Sequence, residues 1–318
     1  MSERHVVVGA GPVGRAVARE LVRRGAGDVV LVSRSGAGEE VEGARRVALD
    51  LGGAGSAEGL TALCAGAEVV YNAANPPSYD VWGTWWPPVA QALSAAAQHS
   101  GAVLATASCL YPYAVDGTPM VEGRPDDASG AKGRLRAAMT ADAMAAHRAG
   151  RARAVEVRGS DYLGPGVSQA HVPVVVPRAL RGRAVRVFGD PDALHSFTDV
   201  RDMATALVTA ATTPAAHGRV WHAPTNPPVS QAEAVAGVCR AAGVAPVRVR
   251  SWPRAMLTLG GTVVPFLREM RETVGQFEQP YVLDSAASEA ALSLSPTPWA
   301  EVLRATAEQG GAVRQPVH

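Results

Sequence analysis

Cysteine, lysine, aromatic residues and long apolar runs are all scarce in this chain, and each scarcity narrows what it can be. Its 318 residues include three cysteines, Cys64, Cys109 and Cys239. Those are too few and too scattered for a disulfide framework or a zinc site. The eight histidines show no metal-ligand spacing, so no metal is expected. No stretch reaches the roughly 18 uninterrupted apolar residues of a membrane span. The opening MSERHVVVGAG lacks the basic n-region and long apolar core of a secretory leader, so a cytoplasmic protein without membrane attachment is expected. Excess charge is also missing. Thirty basic residues face 29 acidic ones, a formal net charge of +1, which excludes a nucleic-acid binder held by its phosphate contacts. With 47% hydrophobic and 19% charged residues, the chain has a foldable composition. At this length it is either two domains or one large α/β domain with an attached lobe.

The lysine scarcity is extreme. Lys132 is the only one, against 29 arginines. In a chain rich in Ala, Gly, Val and Arg, generic positive charge is supplied by arginine. A retained lysine then marks a place where a compact ammonium does what a planar guanidinium cannot.

What is present alternates between strand and helix patterns. A β-branched run over 6–8 ends at Gly9, and an amphipathic stretch over 13–24 is closed by Gly25. Strands are predicted over 28–32, 68–71, 102–105, 154–158, 185–187 and 219–222, with helices over 89–99 and 134–149 among them. This alternation predicts a doubly wound parallel sheet, the Rossmann architecture. After Pro224, prolines from Pro227 and Pro228 through Pro246, Pro253, Pro265, Pro280, Pro296 and Pro298 break the pattern. The reading places a dinucleotide-binding domain over 1–160 and 196–225. A smaller substrate lobe takes 161–195 and 226–318.

Gly9, Ala10, Gly11, Pro12, Val13 and Gly14 form a G-x-G-x-x-G turn between a strand and a helix. There, glycines let the backbone and the helix N-terminus approach a pyrophosphate. Twenty residues after Gly14 stands Arg34, flanked by Ser33 and Ser35, where an NAD site usually has an acid for the ribose 2′-hydroxyl. An arginine fork with two hydroxyl donors suits a 2′-phosphate, which favours NADP(H) over NAD(H).

With these residues assembled, the chain resembles the extended short-chain dehydrogenase/reductases, the NAD-dependent epimerase/dehydratase family. Ala48-Leu49-Asp50-Leu51 is similar to the family's adenine-contacting segment, and Val69-Val70-Tyr71-Asn72-Ala73-Ala74 to its fourth strand. Ser108-Cys109-Leu110-Tyr111-Pro112 resembles the turn after its fifth strand, and Asp161-Tyr162-Leu163-Gly164-Pro165-Gly166 its Asn-x-Tyr-Gly-Pro turn. Phe197-Thr198-Asp199-Val200-Arg201-Asp202-Met203-Ala204 resembles its Val-x-Asp-x-Ala helix start. The resemblance implies cofactor contacts from Gly9, Gly11, Pro12, Val13, Gly14, Asp50, Leu51, Ala73, Ala74 and Lys132. It also implies a homodimer joined through the helices over 89–99 and 134–149.

The family reaction uses Tyr-x-x-x-Lys and a Ser or Thr at the end of the fifth strand. Lys132 stands in the lysine register, but Ala128 occupies the tyrosine position and Ala107 the hydroxyl position. An alanine can neither donate nor accept a proton. Three readings stay open. Tyr111, Tyr113 or Tyr162 replaces the tyrosine, its pKa lowered by the ammonium and supported by Ser108. Alternatively, Cys109 and His171 form an acid/base pair of an epimerase. In the third, the protein binds NADP(H) without redox turnover, as a sensor or scaffold. The leading expectation is an oxidoreductase acting on a carbonyl or secondary alcohol of a small molecule. Trp82, Trp85 and Trp86 fall between the fourth strand and Pro87–Pro88, and Trp82 and Trp85, with Tyr162 and His171, are the expected apolar or aromatic substrate wall. His195 reads as structural.

Overall fold

Short runs of Val, Leu and Ala become strands buried on both faces, as parallel sheets require. The computed structural model describes residues 3–253 and 272–312. The first half runs β1 (Arg4–Val8), α1 (Pro12–Arg23), β2 (Asp28–Ser33), β3 (Ala44–Ala48), α2 (Ser56–Leu63), β4 (Val69–Asn72), α3 (Trp82–Ser100), β5 (Val103–Cys109), α4 (Ala131–Arg148) and β6 (Arg153–Gly159). Those six strands and β11 (Val220–His222) form one seven-stranded sheet in the order β11-β6-β5-β4-β1-β2-β3. Each pairing within it is parallel. One face packs on α1 and α6 (Val200–Thr212) through Val7, Leu21, Leu31, Val157 and Leu207. The other packs on α2 and α3 through Val6, Val30, Leu60, Trp86 and Leu93. The order reverses direction between β1 and β4, so the loops at their carboxyl ends part and open a crevice there.

The remaining described elements make a second core. Three two-stranded pairings, β7 (Asp161–Leu163) with β10 (Phe197–Asp199), β8 (Val185–Val187) with β13 (Val249–Ser251), and β9 (Leu194–His195) with β12 (Val229–Ser230), border it. Leu163, Val176, Phe197, Val235 and Val302 fill it, drawn partly from α5 (Val176–Ala179), α7 (Gln231–Ala241) and α9 (Trp299–Ala312), which α8 (Ala286–Leu292) precedes. Of the substrate lobe expected over 226–318, residues 254–271 (with Pro265) and 313–318 lie outside the described residues.

The sequence-predicted strands recur in the structure, the short elements of the second core were not predicted, and two departures bear on the main sheet and the site. β3 has no predicted counterpart: it is an edge strand with Arg45 and Arg46 at its centre and little burial, so it carries no apolar run to read. The second difference is α3, which begins at Trp82 and runs through Pro87 and Pro88. The three tryptophans expected in a loop are therefore helical, and Trp82 and Trp86 are core residues. Their rings supply the burial that carries the helix past two prolines.

Candidate active site

The turn after β1 is shaped by what its backbone must clear. Gly9 has φ +107°, and a Cβ on it would overlap the backbone of Ala73 after β4; a Cβ on Gly14 would overlap the Gly9 carbonyl oxygen. The β1 turn, the start of α1 and the end of β4 thus interlock at the sheet's reversal point, bringing Gly9, Gly14, Ala73 and Ala74 together. Gly11 is the N-cap of α1, no side chain caps that helix, and Pro12 occupies its first turn. The N–H groups of the first turn are accordingly left for a ligand, and the space a Cβ on Gly11 would take is empty. These residues fit the pyrophosphate of a dinucleotide.

At the end of β2, Arg34 is exposed. Ser33 Oγ accepts the Gly36 N–H at 3.1 Å, and Ser35 Oγ accepts the Ala37 N–H at 3.3 Å, so both hydroxyls shape the loop that presents Arg34. Asp50 caps its own turn, accepting the Gly52 N–H at 3.1 Å, with Leu51 packed on the core beside it.

Across the crevice, Lys132 lies in the first turn of α4 with its side chain only 6% exposed. Its Nζ donates to Glu272 at 2.9 Å, and its backbone N–H donates to the same carboxylate at 2.6 Å. The ammonium stands 5.4 Å from the ring centroid of Tyr79, and the Tyr79 and Tyr111 hydroxyls are 2.9 Å apart. Ala128 lines the same cavity, a space of about 490 Å³ bounded also by Tyr111, Lys132, Glu272 and Tyr281. The position of the missing tyrosine therefore faces open volume, and two other tyrosines reach the lysine's neighbourhood from outside the expected helix. Tyr79 and Glu272 escaped the sequence reading. Glu272 has no local motif. The available signal for Tyr79 was an aromatic residue in the loop after β4, at the carboxyl edge of the sheet.

Several expected roles are corrected by the geometry. The tyrosine pKa values do not fall: burial pushes Tyr79 up to about 12, holds Tyr111 well above its ordinary value, and raises Tyr162 as well. Tyr113 lines the cavity but donates its hydroxyl to His222 Nε2 at 2.9 Å; His222 Nδ1 in turn donates to the Asp284 carbonyl. Ser108 alternates to the opposite face of β5 from Cys109 and accepts from Arg136 at 3.0 Å, so it does not support Tyr111. Among the described residues no hydrogen bond joins Cys109 to His171. Burial raises the Cys109 thiol, while His171 packs on Phe277 with ring centroids 4.1 Å apart. Trp82 packs on Tyr79 and Tyr111, at 5.2 and 5.9 Å, and Trp85 on Trp86 and against Gly52.

Beneath the cavity lies a network of buried charge. Arg158, 1% exposed, donates to both oxygens of Asp126 at 2.6 and 2.9 Å and to Glu156 at 2.8 Å. Its guanidinium covers the Tyr113 ring at 4.6 Å, and Thr140 donates to the other Glu156 oxygen at 2.7 Å. This network anchors the long β5–α4 connection that carries Tyr111 and Ala128. Among the described residues no histidine, cysteine and carboxylate group has metal-site geometry, and no helix is long and apolar enough to cross a membrane.

A model of the NAD dependent epimerase/dehydratase family matches residues 5–223. The chain belongs to this family, whose members are enzymes of the oxidoreductase and epimerase kind that use a nicotinamide dinucleotide. A search of curated proteins returned no match. Solved structures agree on the fold. MoeE5 in complex with UDP-glucose and NAD superposes with a TM-score of 0.77 at 21% identity, covering 98% of this chain and 100% of that one. The dTDP-glucose 4,6-dehydratase of Streptomyces venezuelae, a double mutant with NAD and DAU bound, gives 0.75 at 18% identity, with 96% of each chain covered. The UDP-glucose 4-epimerase of the hyperthermophilic eubacterium Thermotoga maritima gives 0.77 at 16% identity, covering 98% of this chain and 100% of that one.

Proposed function

We propose that this family member is an NADP(H)-dependent oxidoreductase that interconverts a carbonyl and a secondary alcohol on a small molecule, with Tyr111 as its proton carrier. The observation that carries the reading is the Tyr79–Tyr111 hydroxyl pair beside Lys132, in a cavity that Ala128 leaves open. When bound, the dinucleotide would exchange hydride with the carbonyl carbon. Gly9, Gly11 and Gly14 would hold its pyrophosphate, Asp50 and Leu51 would flank its adenine, and Lys132 would bind its nicotinamide ribose. Arg34 would fork onto a 2′-phosphate. Tyr111 would donate its proton to the oxygen of a carbonyl being reduced and take one back from Tyr79, which would regain its own from solvent. Residues 1–160 and 196–225 would serve the dinucleotide and the rest the substrate, in a cytoplasmic homodimer joined through α3 and α4.

The test is twofold. NADPH should bind several-fold tighter than NADH, and Arg34→Ala should cancel the difference, a loss of about 1.5 kcal/mol for a charge-assisted contact. Tyr111→Phe should lower reductive turnover by about 10²-fold or more while NADPH affinity is kept. Full turnover by Tyr111→Phe would overturn the assignment. NADPH binding with no carbonyl reduced in a broad panel would leave a non-redox dinucleotide protein.

A further inference from the structure

Glu272 and Lys132 meet across 140 residues of sequence, and the contact is made twice. Lys132 Nζ donates to one carboxylate oxygen at 2.9 Å, and the Lys132 backbone N–H donates to the other at 2.6 Å. Gly130 leaves the space for it. As the N-cap of α4 it has no side chain to offer that helix, and a Cβ there would lie 2.6 Å from the nearer Glu272 oxygen. First-turn N–H groups point back beyond the end of a helix, so the carboxylate stands where a turn preceding Lys132 would run.

Both groups face the cavity. Glu272 and Lys132 line the same space of about 490 Å³, with Ala128, Ser129 and Gly130 beside them. The Glu272 side chain is 27% exposed, against 6% for Lys132, so the carboxylate is the more open of the two. Each of its oxygens accepts one hydrogen bond from Lys132, and no other donor reaches it among the described residues. A carboxylate oxygen has two lone pairs, which leaves one acceptor site on each oxygen. Ala128, with only a methyl group, offers the cavity no polar atom.

The charge balance of the pair limits what those sites can take. A cationic ligand meets Lys132 at short range, and an anionic one meets Glu272, so neutral donors suit the pair best. Two adjacent hydroxyls can donate one hydrogen to each oxygen of a single carboxylate, and bonds to an ionised acceptor are the strong ones. A lone hydroxyl fills half of the arrangement. We infer that Glu272, held in place by Lys132, forms a subsite for a vicinal diol. Two molecules of the proposed chemistry can bring one: the dinucleotide, through its nicotinamide ribose, or a polyhydroxylated substrate. The inference rests on the NADP(H) reading only for the first source.

Two arms separate the sources. In the first, 2′-phosphoadenosine 5′-diphosphate and 2′-phospho-ADP-ribose, which differ by the second ribose, are titrated by calorimetry into the whole protein. The ribose should tighten binding about ten-fold, as expected for a hydrogen bond to a charged acceptor, and Glu272→Ala should abolish that gain. In the second, thermal melts with and without NADP⁺ compare cis-cyclohexane-1,2-diol with cyclohexanol. A larger upward shift with the diol, lost in Glu272→Ala, assigns the subsite to the substrate; a gain in the first arm alone assigns it to the dinucleotide. No gain in either arm overturns the inference, as does a gain that Glu272→Ala keeps. So does tighter binding of 2′-phospho-ADP-ribose by Glu272→Ala than by wild type, because the carboxylate would then compete with the ligand. Glu272→Gln, of equal length but with one acceptor oxygen, should lose most of the gain and takes the place of the alanine variant if that one fails to fold. If 2′-phosphoadenosine 5′-diphosphate itself does not bind, the NADP(H) reading fails, and the melts without NADP⁺ still decide the subsite.

Discussion

The turn after β1 and the turn after β5 face each other across one crevice but are held by different physics. The first is backbone against backbone. Gly9 and Gly14 let β1, α1 and the end of β4 touch, and one charged side chain, Arg15, donates to the Ala10 carbonyl of the turn at 2.9 Å. The second is a long connection pinned by buried side chains: Arg158 to Asp126 and Glu156, Tyr113 to His222, Lys132 to Glu272. Backbone contacts of the first kind tolerate no added atom but demand nothing of distant residues. Buried ion pairs tolerate some change in shape, yet they fail when one partner is removed. The dinucleotide side is therefore sensitive to single added methyls, and the chemical side to single lost charges.

The largest expected effect comes from Arg158→Met. It leaves Asp126 and Glu156 without their shared cation, at a cost of about 3–5 kcal/mol in urea unfolding; an unchanged midpoint would show that the network does not hold the second turn. Gly14→Ala tests the first turn. Its Cβ would overlap the Gly9 carbonyl, and the displaced helix should weaken NADPH binding by about 10²-fold, with fluorescence titration as the readout. If Gly14→Ala binds normally, the backbone interlock is not what shapes the site.

A third prediction addresses the seam between the sheet and the C-terminal segment, where Asp202 of α6 accepts both the Thr297 N–H and its hydroxyl. Burial raises the Asp202 carboxyl to about 6. The folded state then binds a proton more tightly than the unfolded chain. Its contribution is present below about pH 4, the ordinary carboxylate range, and is lost as pH rises through about 6. Asp202→Asn should flatten that fall, worth about 2 kcal/mol between pH 4 and 7. Thermal melts across the window decide it, and a slope of opposite sign in the wild type relative to the variant would refute it. The smallest effect is the subtlest exchange, Lys132→Arg. The side chain is buried between Glu272 and the Tyr79 ring, where a planar fork does not match a point donor. NADPH affinity should fall by about ten-fold, nearly as far as with Lys132→Ala. A Lys132→Arg protein equal to wild type would mean that any cation serves there.

Much of the first region was legible because its requirements are local. A positive φ at Gly9, a proline opening α1 and a left-handed Gly25 closing it are demands on single residues, so the strand, turn and helix can be read in order. The same holds for Lys132, whose place near the start of a helix follows from register. The second region was legible only in part. Ser108 and Cys109 are adjacent in sequence but point to opposite faces of β5, and only the neighbouring helix shows which face holds the crevice. Tyr111 was weighed among several tyrosines, and its partner Tyr79 lies 32 residues away. Glu272 reaches the start of α4 across 140 residues, in a space that Gly130 leaves for it. No spacing rule connects positions so far apart.

The sequence by itself determined the alternation of strand and helix, the glycine turn at the sheet's reversal point, and the loss of the usual tyrosine at Ala128. Each follows from the steric or chemical limits of one residue and its near neighbours. Tertiary structure decided which hydroxyls stand beside Lys132, that burial raises rather than lowers their pKa values, and that Trp82 and Trp86 pack as core. Those outcomes depend on desolvation and on charges brought together from distant segments, and both come into existence only when the chain has folded.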